Sequence, residues 1–130
     1  MIVVDASVLA TALADDGSDG RLARERLIGE SLTAPDLIDL EVASAYRRLC
    51  RTGDLAPVRA EQALSDLVVL RLERVHHLVL VRRCWELRQN VTVYDGPYIA
   101  LAEILQIPLL TADERLTRAP GARCEFELLG

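Results

Sequence analysis

The chain has 130 residues, a formal net charge of −5, and a composition of 51% hydrophobic and 27% charged residues. These values indicate one globular domain over residues 1–130 and exclude a disordered or membrane-spanning chain. All 15 basic residues are arginines. This excludes P-loop and Schiff-base enzymes in their standard forms, because both need a lysine.

The net negative charge limits the possible binding partners, and the cysteines bear on the cellular compartment. A polyanionic substrate would need a local arginine patch or a bridging metal ion, since the chain has no broad attraction to nucleic acid. Cys50, Cys84 and Cys124 form no CxxC pair, which argues against a disulfide framework or a zinc ribbon. With no signal peptide and no membrane-length apolar run, we expect a cytoplasmic protein without a membrane segment.

Short apolar segments alternate with helical ones along the chain. Strands are predicted at residues 2–4, 32–34, 73–75, 108–111 and 124–128. Helices are predicted at residues 6–13, 19–29, 36–51 (capped by Asp36 and stopped by Gly53), 57–70, 78–89, 95–105 (capped by Asp95) and briefly from Asp113. This alternation predicts an α/β fold with helices on both faces of a parallel sheet. Ligands of such folds bind beyond the carboxyl ends of the strands.

Four acidic residues occupy positions that a core-building sequence would avoid. Asp5 directly follows the first strand, and Asp113 follows the strand at residues 108–111. Asp95 begins a strongly apolar helix, and Glu41 lies at the flank of a buried helical stripe. If the first and fourth strands are neighbours, these four carboxylates converge on one crevice.

A cluster of four carboxylates predicts a metal-dependent hydrolase of phosphate esters. Like charges in one crevice repel each other and destabilise the fold, and a divalent cation removes that penalty. Mg²⁺ and Mn²⁺ prefer carboxylate oxygens, and either ion can activate a water and polarise a phosphodiester. Taken singly, each acid also has a structural interpretation. Asp95 and Asp113 could cap helices, Asp5 could merely end a strand, and Glu41 could be half-exposed.

Two arginines are candidates for contacts with substrate phosphates. Arg48 follows Glu41 by seven residues, two helical turns along roughly the same stripe. Arg115 lies shortly after Asp113 and could act in the same way. An ordinary solvated surface is the alternative interpretation for both arginines.

The histidines and two aromatic residues carry weaker signals. His76 and His77 are adjacent rather than four positions apart, so they lack the spacing of metal ligands on a helix. Both are expected to be structural or surface residues. We expect Trp85 to pack against the protein rather than stack on bases, and Tyr46 to lie in the core or an interface.

The segments that contain the four acids also resemble a known family. IVVDAS (2–7), APDLIDLEVASAYRRL (34–49), VYDGPYIALAE (93–103) and LLTADERL (109–116) resemble the PIN-domain nucleases, and among them the VapC toxins of toxin–antitoxin pairs. The resemblance extends over essentially the whole chain. It implies a PIN-like three-layer α/β/α sandwich with a mostly parallel sheet. It also implies an Mg²⁺- or Mn²⁺-dependent endoribonuclease that cleaves single-stranded or structured RNA.

The resemblance further implies roles for individual residues and for partners. The family's acidic quartet falls on the four acids already singled out: Asp5, Glu41, Asp95 and Asp113. Its metal is assigned chiefly to the first and third of these, Asp5 and Asp95, while Glu41 and Asp113 are expected to complete the metal's ligand shell and orient waters. Ser7 and Thr111 match small hydroxyl residues that support the site. VapC-type proteins form homodimers and are inhibited by a small VapB-type antitoxin, so both are expected partners beside RNA.

The chain departs from the family pattern at two places. Gly96 and Pro97 replace an Ala-Leu-like pair after the third acid, and Arg115 stands where some relatives carry a further acid. The number of metal ions is therefore open. Two alternative functions also stay open. One is a metal-dependent phosphatase or DNA nuclease with the same carboxylates, and the other is a non-catalytic module that binds a metal or a partner.

Overall fold

The computed structural model describes all residues from 1 to 130. Its five strands are Ile2–Val4 (β1), Leu32–Pro35 (β2), Leu72–Val75 (β3), Leu109–Thr111 (β4) and Phe126–Leu128 (β5). Its six α-helices are Ala6–Ala14 (α1), Ser18–Leu27 (α2), Ile38–Thr52 (α3), Pro57–Val69 (α4), Val81–Glu86 (α5) and Gly96–Leu105 (α6). Two short 3₁₀ helices cover His77–Leu80 and Leu116–Arg118.

The five strands form one parallel sheet in the order β3-β2-β1-β4-β5. In its centre, Val3 of β1 lies opposite Thr33 of β2 and opposite Leu109 of β4. The first and fourth strands are therefore neighbours, as the hypothesis of converging acids requires. Because every strand is parallel, all carboxyl ends lie at the same edge of the sheet.

Helices cover both faces of the sheet, which explains why β1 is entirely apolar. On one side α1 packs against α2, α3 and α4, and on the other α6 packs against α5, β1 and β2. Val3 and Val4 are fully buried between these layers. The predicted three-layer α/β/α architecture is confirmed, with the sheet parallel throughout.

The helix that follows β2 begins later than predicted. Asp36 was expected to cap it, but α3 starts at Ile38, and Leu37 occupies the N-cap position. Asp36 makes no capping hydrogen bond and lies instead beside the end of β3. The predicted stop at Gly53 is confirmed, because this residue adopts a left-handed conformation with φ of 81°.

Two predicted helices are shorter than expected. In place of one helix over residues 78–89, the chain forms the 3₁₀ helix His77–Leu80 and then the short α5. The segment after Asp113 contains only the 3₁₀ helix Leu116–Arg118. No helix in the structure has both the length and the apolar character needed to cross a membrane.

The large side chains of this region explain the misprediction. Leu78 and Val79 face solvent, so the apolar pattern that suggested a buried helical face does not correspond to one. The prediction that Trp85 packs in the protein is wrong, since its side chain is 61% exposed and carries the Arg88 guanidinium over its ring. Tyr46, by contrast, lies in the core as expected.

Candidate active site

Asp5 is the first residue after β1 and is largely buried. Its Oδ2 accepts a hydrogen bond of 2.7 Å from the Thr111 hydroxyl at the end of β4. The Ser7 hydroxyl, in the first turn of α1, donates a second hydrogen bond of 3.2 Å to the same oxygen. Because both donors contact Oδ2, the side-chain orientation of Asp5 is fixed while Oδ1 accepts no hydrogen bond.

Thr111, the last residue of β4, links Asp5 to Asp113. Its hydroxyl oxygen, which is fully buried, accepts a hydrogen bond of 3.0 Å from the backbone N–H of Asp113. Oδ1 of Asp113 in turn accepts a hydrogen bond of 2.9 Å from the backbone N–H of Arg115. The Thr111 hydroxyl therefore positions two acids, because it contacts the side chain of Asp5 and the backbone N–H of Asp113.

Glu41 projects from the first turn of α3 and is held by a tyrosine of another helix. The hydroxyl of Tyr98, in α6, donates a hydrogen bond of 2.6 Å to Oε1 of Glu41. Burial raises the pKa of Glu41, the bond from Tyr98 opposes that rise, and the negative charges of Asp5 and Asp95 add to it. Burial and the Glu41 carboxylate raise the pKa of Tyr98 far above its ordinary value, so the phenol keeps its proton and remains a donor.

Asp95 occupies the N-cap position of α6 but makes no side-chain capping hydrogen bond, which removes the main support for a purely structural interpretation. Burial raises the pKa of Asp95, and the neighbouring negative charges of Asp5 and Asp113 raise it further. The Thr92 side chain and the Arg115 guanidinium act in the opposite direction. The carboxylate thus lies in a site where negative charge is poorly compensated.

The structure brings all four acids to one cavity of about 270 Å³, located beyond the carboxyl ends of β1 and β4. Its lining includes Asp5, Ser7, Glu41, Arg48, Asp95 and Asp113. No three of the acids each bring an oxygen within 4.8 Å of the other two. In this arrangement no more than two carboxylates can hold one divalent cation directly, so waters would supply the remaining ligands, as is usual for Mg²⁺.

The two candidate arginines lie at this site in different ways. Arg48 lines the cavity itself, is exposed to solvent and forms no ion pair. Arg115 lies in an adjoining cavity of about 330 Å³ whose lining also includes Asp95 and Asp113. Its side chain is 90% exposed, with Nε at 3.6 Å from Oδ1 of Asp113.

Sequence reasoning missed Tyr98, the residue that holds Glu41. Tyr98 follows Asp95 by three positions and so shares its side of α6, but no sequence signal connects it with Glu41, which is 57 residues away. Gly96 allows α6 to begin against α5, because a Cβ there would lie 3.1 Å from both Cβ and Sγ of Cys84. This close approach explains why position 96 is occupied by a glycine.

Residues 2–122 match the PIN domain family. The ribonuclease VapC1 of Mycobacterium tuberculosis is 41% identical over 128 residues, which cover 98% of this chain and 96% of that protein. The ribonuclease VapC9 of the same organism is 41% identical over 129 residues, which cover 99% and 98% respectively. The chain therefore belongs to the PIN domain family, and within it to the VapC-type proteins.

Solved structures of VapC-type proteins have the same fold. VapBC2 from Rickettsia felis, in a crystal structure with a DNA fragment from the promoter, matches with a TM-score of 0.69 at 14% identity over 100% of both chains. Mycobacterium tuberculosis VapC20, described as a sarcin-ricin loop cleaving toxin, matches with a TM-score of 0.66 at 15% identity over 84% of this chain and 87% of that one. At such identities the likeness supports the fold alone.

Proposed function

We propose that this protein is a divalent-metal-dependent endoribonuclease and the toxin of a VapBC-type pair. The observation that carries the proposal is the presence of four acids in one cavity: Asp5, Glu41, Asp95 and Asp113. RNA is favoured as the substrate because two relatives named as ribonucleases are 41% identical over nearly their full lengths. PIN nucleases generally depend on divalent metals, and the all-oxygen donor set favours Mg²⁺ or Mn²⁺.

Asp5 and Asp95 are the residues to which we assign direct contact with the ion. Burial and the negative charges of Asp5 and Asp113 raise the pKa of Asp95, and a cation in the cavity would stabilise its charged form. When bound, the ion supplies Lewis-acid activation of a water and polarises the scissile phosphodiester. Ser7 and Thr111 support this arrangement by holding Oδ2 of Asp5, so that Oδ1 stays free for a ligand.

Glu41 and Asp113 complete the proposed catalytic set by orienting water. Oε1 of Glu41 is occupied by the Tyr98 hydroxyl, which leaves Oε2 free to accept a proton from the attacking water. The raised pKa of Glu41 makes it a better proton acceptor than an exposed glutamate. Asp113 is fixed after β4 by hydrogen bonds to Thr111 and Arg115, and it lines the adjoining cavity together with Asp95.

Arg48 and Arg115 are proposed to bind phosphates that flank the scissile bond. The net charge of −5 repels RNA, so local positive charge is needed where the backbone approaches the acids. Arg48 lines the cavity without an ion-pair partner and Arg115 is 90% exposed, so both guanidinium groups can reach a substrate.

The partners follow from the family. We propose that the chain folds as one domain over residues 1–130, forms a homodimer, acts in the cytoplasm and is inhibited by a small VapB-type antitoxin. A structural neighbour from Rickettsia felis is a VapBC complex, and one from Klebsiella pneumoniae is described as a toxin–antitoxin complex. The whole-chain identity to VapC1 and VapC9 supports the same class of partner here.

A cleavage assay on metal-stripped protein freed from antitoxin tests this function. Total RNA is offered with EDTA, Mg²⁺ or Mn²⁺, beside Asp5→Asn and Asp95→Asn, with Asp66→Asn as a matched control because Asp66 is an exposed acid on α4. We expect discrete metal-dependent fragments from the wild type and the control and none from the two site variants. Full activity in either site variant would contradict the assignment.

Parallel substrates separate the alternatives that the carboxylates leave open. Single-stranded DNA and a small phosphomonoester are offered under the same conditions as RNA. Preferred cleavage of DNA or of the monoester would indicate the nuclease or phosphatase alternative. Absence of turnover with every substrate, together with calorimetric binding of Mn²⁺, would indicate the non-catalytic metal-binding module.

A further inference from the structure

We propose that Asp36, His76 and His77 form a second metal site, separate from the four-acid cavity, for a transition-metal ion of the Zn²⁺ class. Each residue offers one ligand atom, and these atoms all lie within 4.8 Å of one another. Two imidazole nitrogens and one carboxylate oxygen suit Zn²⁺, Ni²⁺ or Cu²⁺, whereas Mg²⁺ prefers oxygen ligands alone. The two sites therefore differ in the class of ion that each selects.

The sheet places Asp36 and His76 side by side. Pro35 of β2 lies opposite Val75 of β3, so the next residue of each strand comes out at the same edge of the sheet. Directly after β2, the backbone N–H of Asp36 donates a hydrogen bond of 2.9 Å to the carbonyl oxygen of Val75, the last residue of β3. The two backbones are thus held together, and Nδ1 of His76 lies 3.5 Å from Oδ2 of Asp36.

A change of backbone conformation brings His77 to the same side. Adjacent residues of an extended strand point to opposite faces. Here β3 ends at Val75, and the 3₁₀ helix begins at His77, so the chain turns between the two histidines. Their ring centroids lie 5.1 Å apart with the ring planes at 68°. Adjacent spacing, which argued against a helical metal site, is thus compatible with a site at a strand end.

The three side chains are free to accept an ion. All three residues are exposed, and apart from the contact between His76 and Asp36 their side chains make no hydrogen bond or ion pair. The nearby Arg74 is engaged by Asp39 through contacts of 2.7 and 2.9 Å, so its guanidinium does not occupy the site. Three protein ligands leave a fourth tetrahedral position for water.

An ion at this site would connect two elements of the fold. Asp36 lies two residues before α3, the helix that carries Glu41 and Arg48, and the histidines follow β3. Binding in the folded chain alone would stabilise that connection and raise the thermal midpoint as the ion concentration rises above its Kd.

Zinc binding by the full chain tests the proposal directly. Zn²⁺ is titrated calorimetrically in excess Mg²⁺ into the wild type, into His76→Ala, His77→Ala and Asp36→Asn, and into Asp5→Asn, which disables the four-acid cavity. We expect one equivalent to bind to the wild type and to Asp5→Asn with equal affinity, and each of the other three variants to bind at least about tenfold more weakly. Circular dichroism checks that every variant is folded.

Co²⁺ absorption gives a second readout that does not depend on activity. A site with two histidines, one aspartate and water should give the visible bands of four-coordinate Co²⁺, present in Asp5→Asn and absent in His77→Ala. Three results would each overturn the proposal: no Zn²⁺ binding by the folded wild type, unchanged affinity in the histidine variants, or a thiolate charge-transfer band that shows a cysteine ligand. Mg²⁺-dependent RNA cleavage should persist in His77→Ala, so the two proposals can fail independently.

Discussion

The phenolic oxygen of Tyr98 lies 2.6 Å from Oε1 of Glu41, although 57 residues separate them in the chain. Tyr98 is buried in α6, three residues after Asp95. One helix therefore carries both an acid of the cavity and the hydrogen-bond donor for the acid on α3. This contact couples the position of α6 to the ionisation of Glu41.

Replacing Tyr98 by Phe should impair Glu41 without removing it. The Tyr98 hydrogen bond lowers the pKa of Glu41, so its loss should raise that pKa beyond its already raised value. We expect the acid limb of the pH–rate profile for RNA cleavage to move to higher pH. The free energy of unfolding should fall by about 1 kcal/mol, as for one buried hydrogen bond.

Tyr46→Phe is the matched control for that variant. The Tyr46 hydroxyl donates a hydrogen bond of 2.8 Å to the carbonyl oxygen of Ala10 and does not contact any of the four acids. Burial raises the pKa of Tyr46 to about 12, so it is a neutral donor as well. A similar loss of stability with an unchanged pH profile is expected. Equal shifts of the profile in both variants would contradict the role of Tyr98.

Asp95→Asn should stabilise the metal-free protein at neutral pH, although it removes one of the four acids that we propose to be catalytic. Burial raises the pKa of Asp95 and of Glu41 above their ordinary values, so the folded chain binds these protons more tightly than the unfolded chain does. The free energy of unfolding therefore decreases as the pH rises from the ordinary pKa values through the raised ones, and it remains lower at higher pH. The asparagine has no charge to bury.

Thermal unfolding in EDTA between about pH 4 and pH 8 measures this effect. The wild type should lose stability with rising pH more steeply than the variant, and Mg²⁺ should raise the thermal midpoint of the wild type more than that of the variant. A variant that is less stable than the wild type at pH 7 in EDTA would show that the charge of Asp95 is compensated within the fold.

Thr111→Val should reduce both stability and activity. The substitution removes the donor to Oδ2 of Asp5 and the acceptor for the Asp113 N–H, and it leaves that N–H without its partner. We expect a loss of about 1–3 kcal/mol in the free energy of unfolding. The rate of RNA cleavage should fall as well, and Thr111→Ser should restore most of it.

Thr33→Val provides the comparison, because it makes the same change in β2, the strand on the other side of β1. Thr33 is also buried, and its hydroxyl donates a hydrogen bond of 3.0 Å to the carbonyl oxygen of Glu73, away from the four acids. Its loss should lower stability while cleavage by the folded protein is retained. If both valine variants reduced cleavage equally, the effect would be general destabilisation.

The strand-end acids are the part of the site that sequence reasoning predicts best. Asp5 and Asp113 each follow a short apolar strand, and a parallel sheet brings such residues to one edge. The contact between Tyr98 and Glu41 was not predictable, because it depends on how α6 packs relative to α3. Local pattern carries no information on such tertiary contacts.

The region after β3 was mispredicted for a different reason. Leu78 and Val79 are apolar but exposed, so burial does not enforce the helical period that their pattern suggested. The chain turns at His77 instead, and this turn brings Asp36 and the two histidines together. The spacing rule for ligands on a helix does not apply where the backbone changes direction between adjacent residues.

Gly96→Ala should destabilise the fold by about 1–3 kcal/mol, because the new Cβ would overpack the contact between α6 and α5. It would lie 3.1 Å from Cβ and Sγ of Cys84 and 3.2 Å from its Cα. Chemical denaturation measures the loss. The double variant Gly96→Ala, Cys84→Ala removes the sulfur contact and should recover part of it, whereas no recovery would place the strain in the backbone.

Arg48→Ala should weaken RNA binding by the loss of one phosphate contact. Arg48 lines the cavity, whereas its neighbour Arg47 is exposed on the same helix and does not line it, so Arg47→Ala is the control. Binding is measured with single-stranded RNA over a series of salt concentrations, in the Asp5→Asn background, which we expect to be inactive. The slope of the logarithm of the RNA association constant against the logarithm of the salt concentration should be less steep by about 0.7 for Arg48→Ala than for the parent protein.

The salt slope distinguishes a direct contact from a change in the overall field. Both substitutions remove one positive charge from α3, so a long-range effect would lower affinity alike in both variants. An arginine that directly contacts an RNA phosphate releases a counterion on binding, so only the loss of such an arginine reduces the salt slope. Equal slopes for Arg48→Ala and Arg47→Ala would contradict the proposed phosphate contact of Arg48. Arg115 would then remain as the only arginine proposed to contact the RNA.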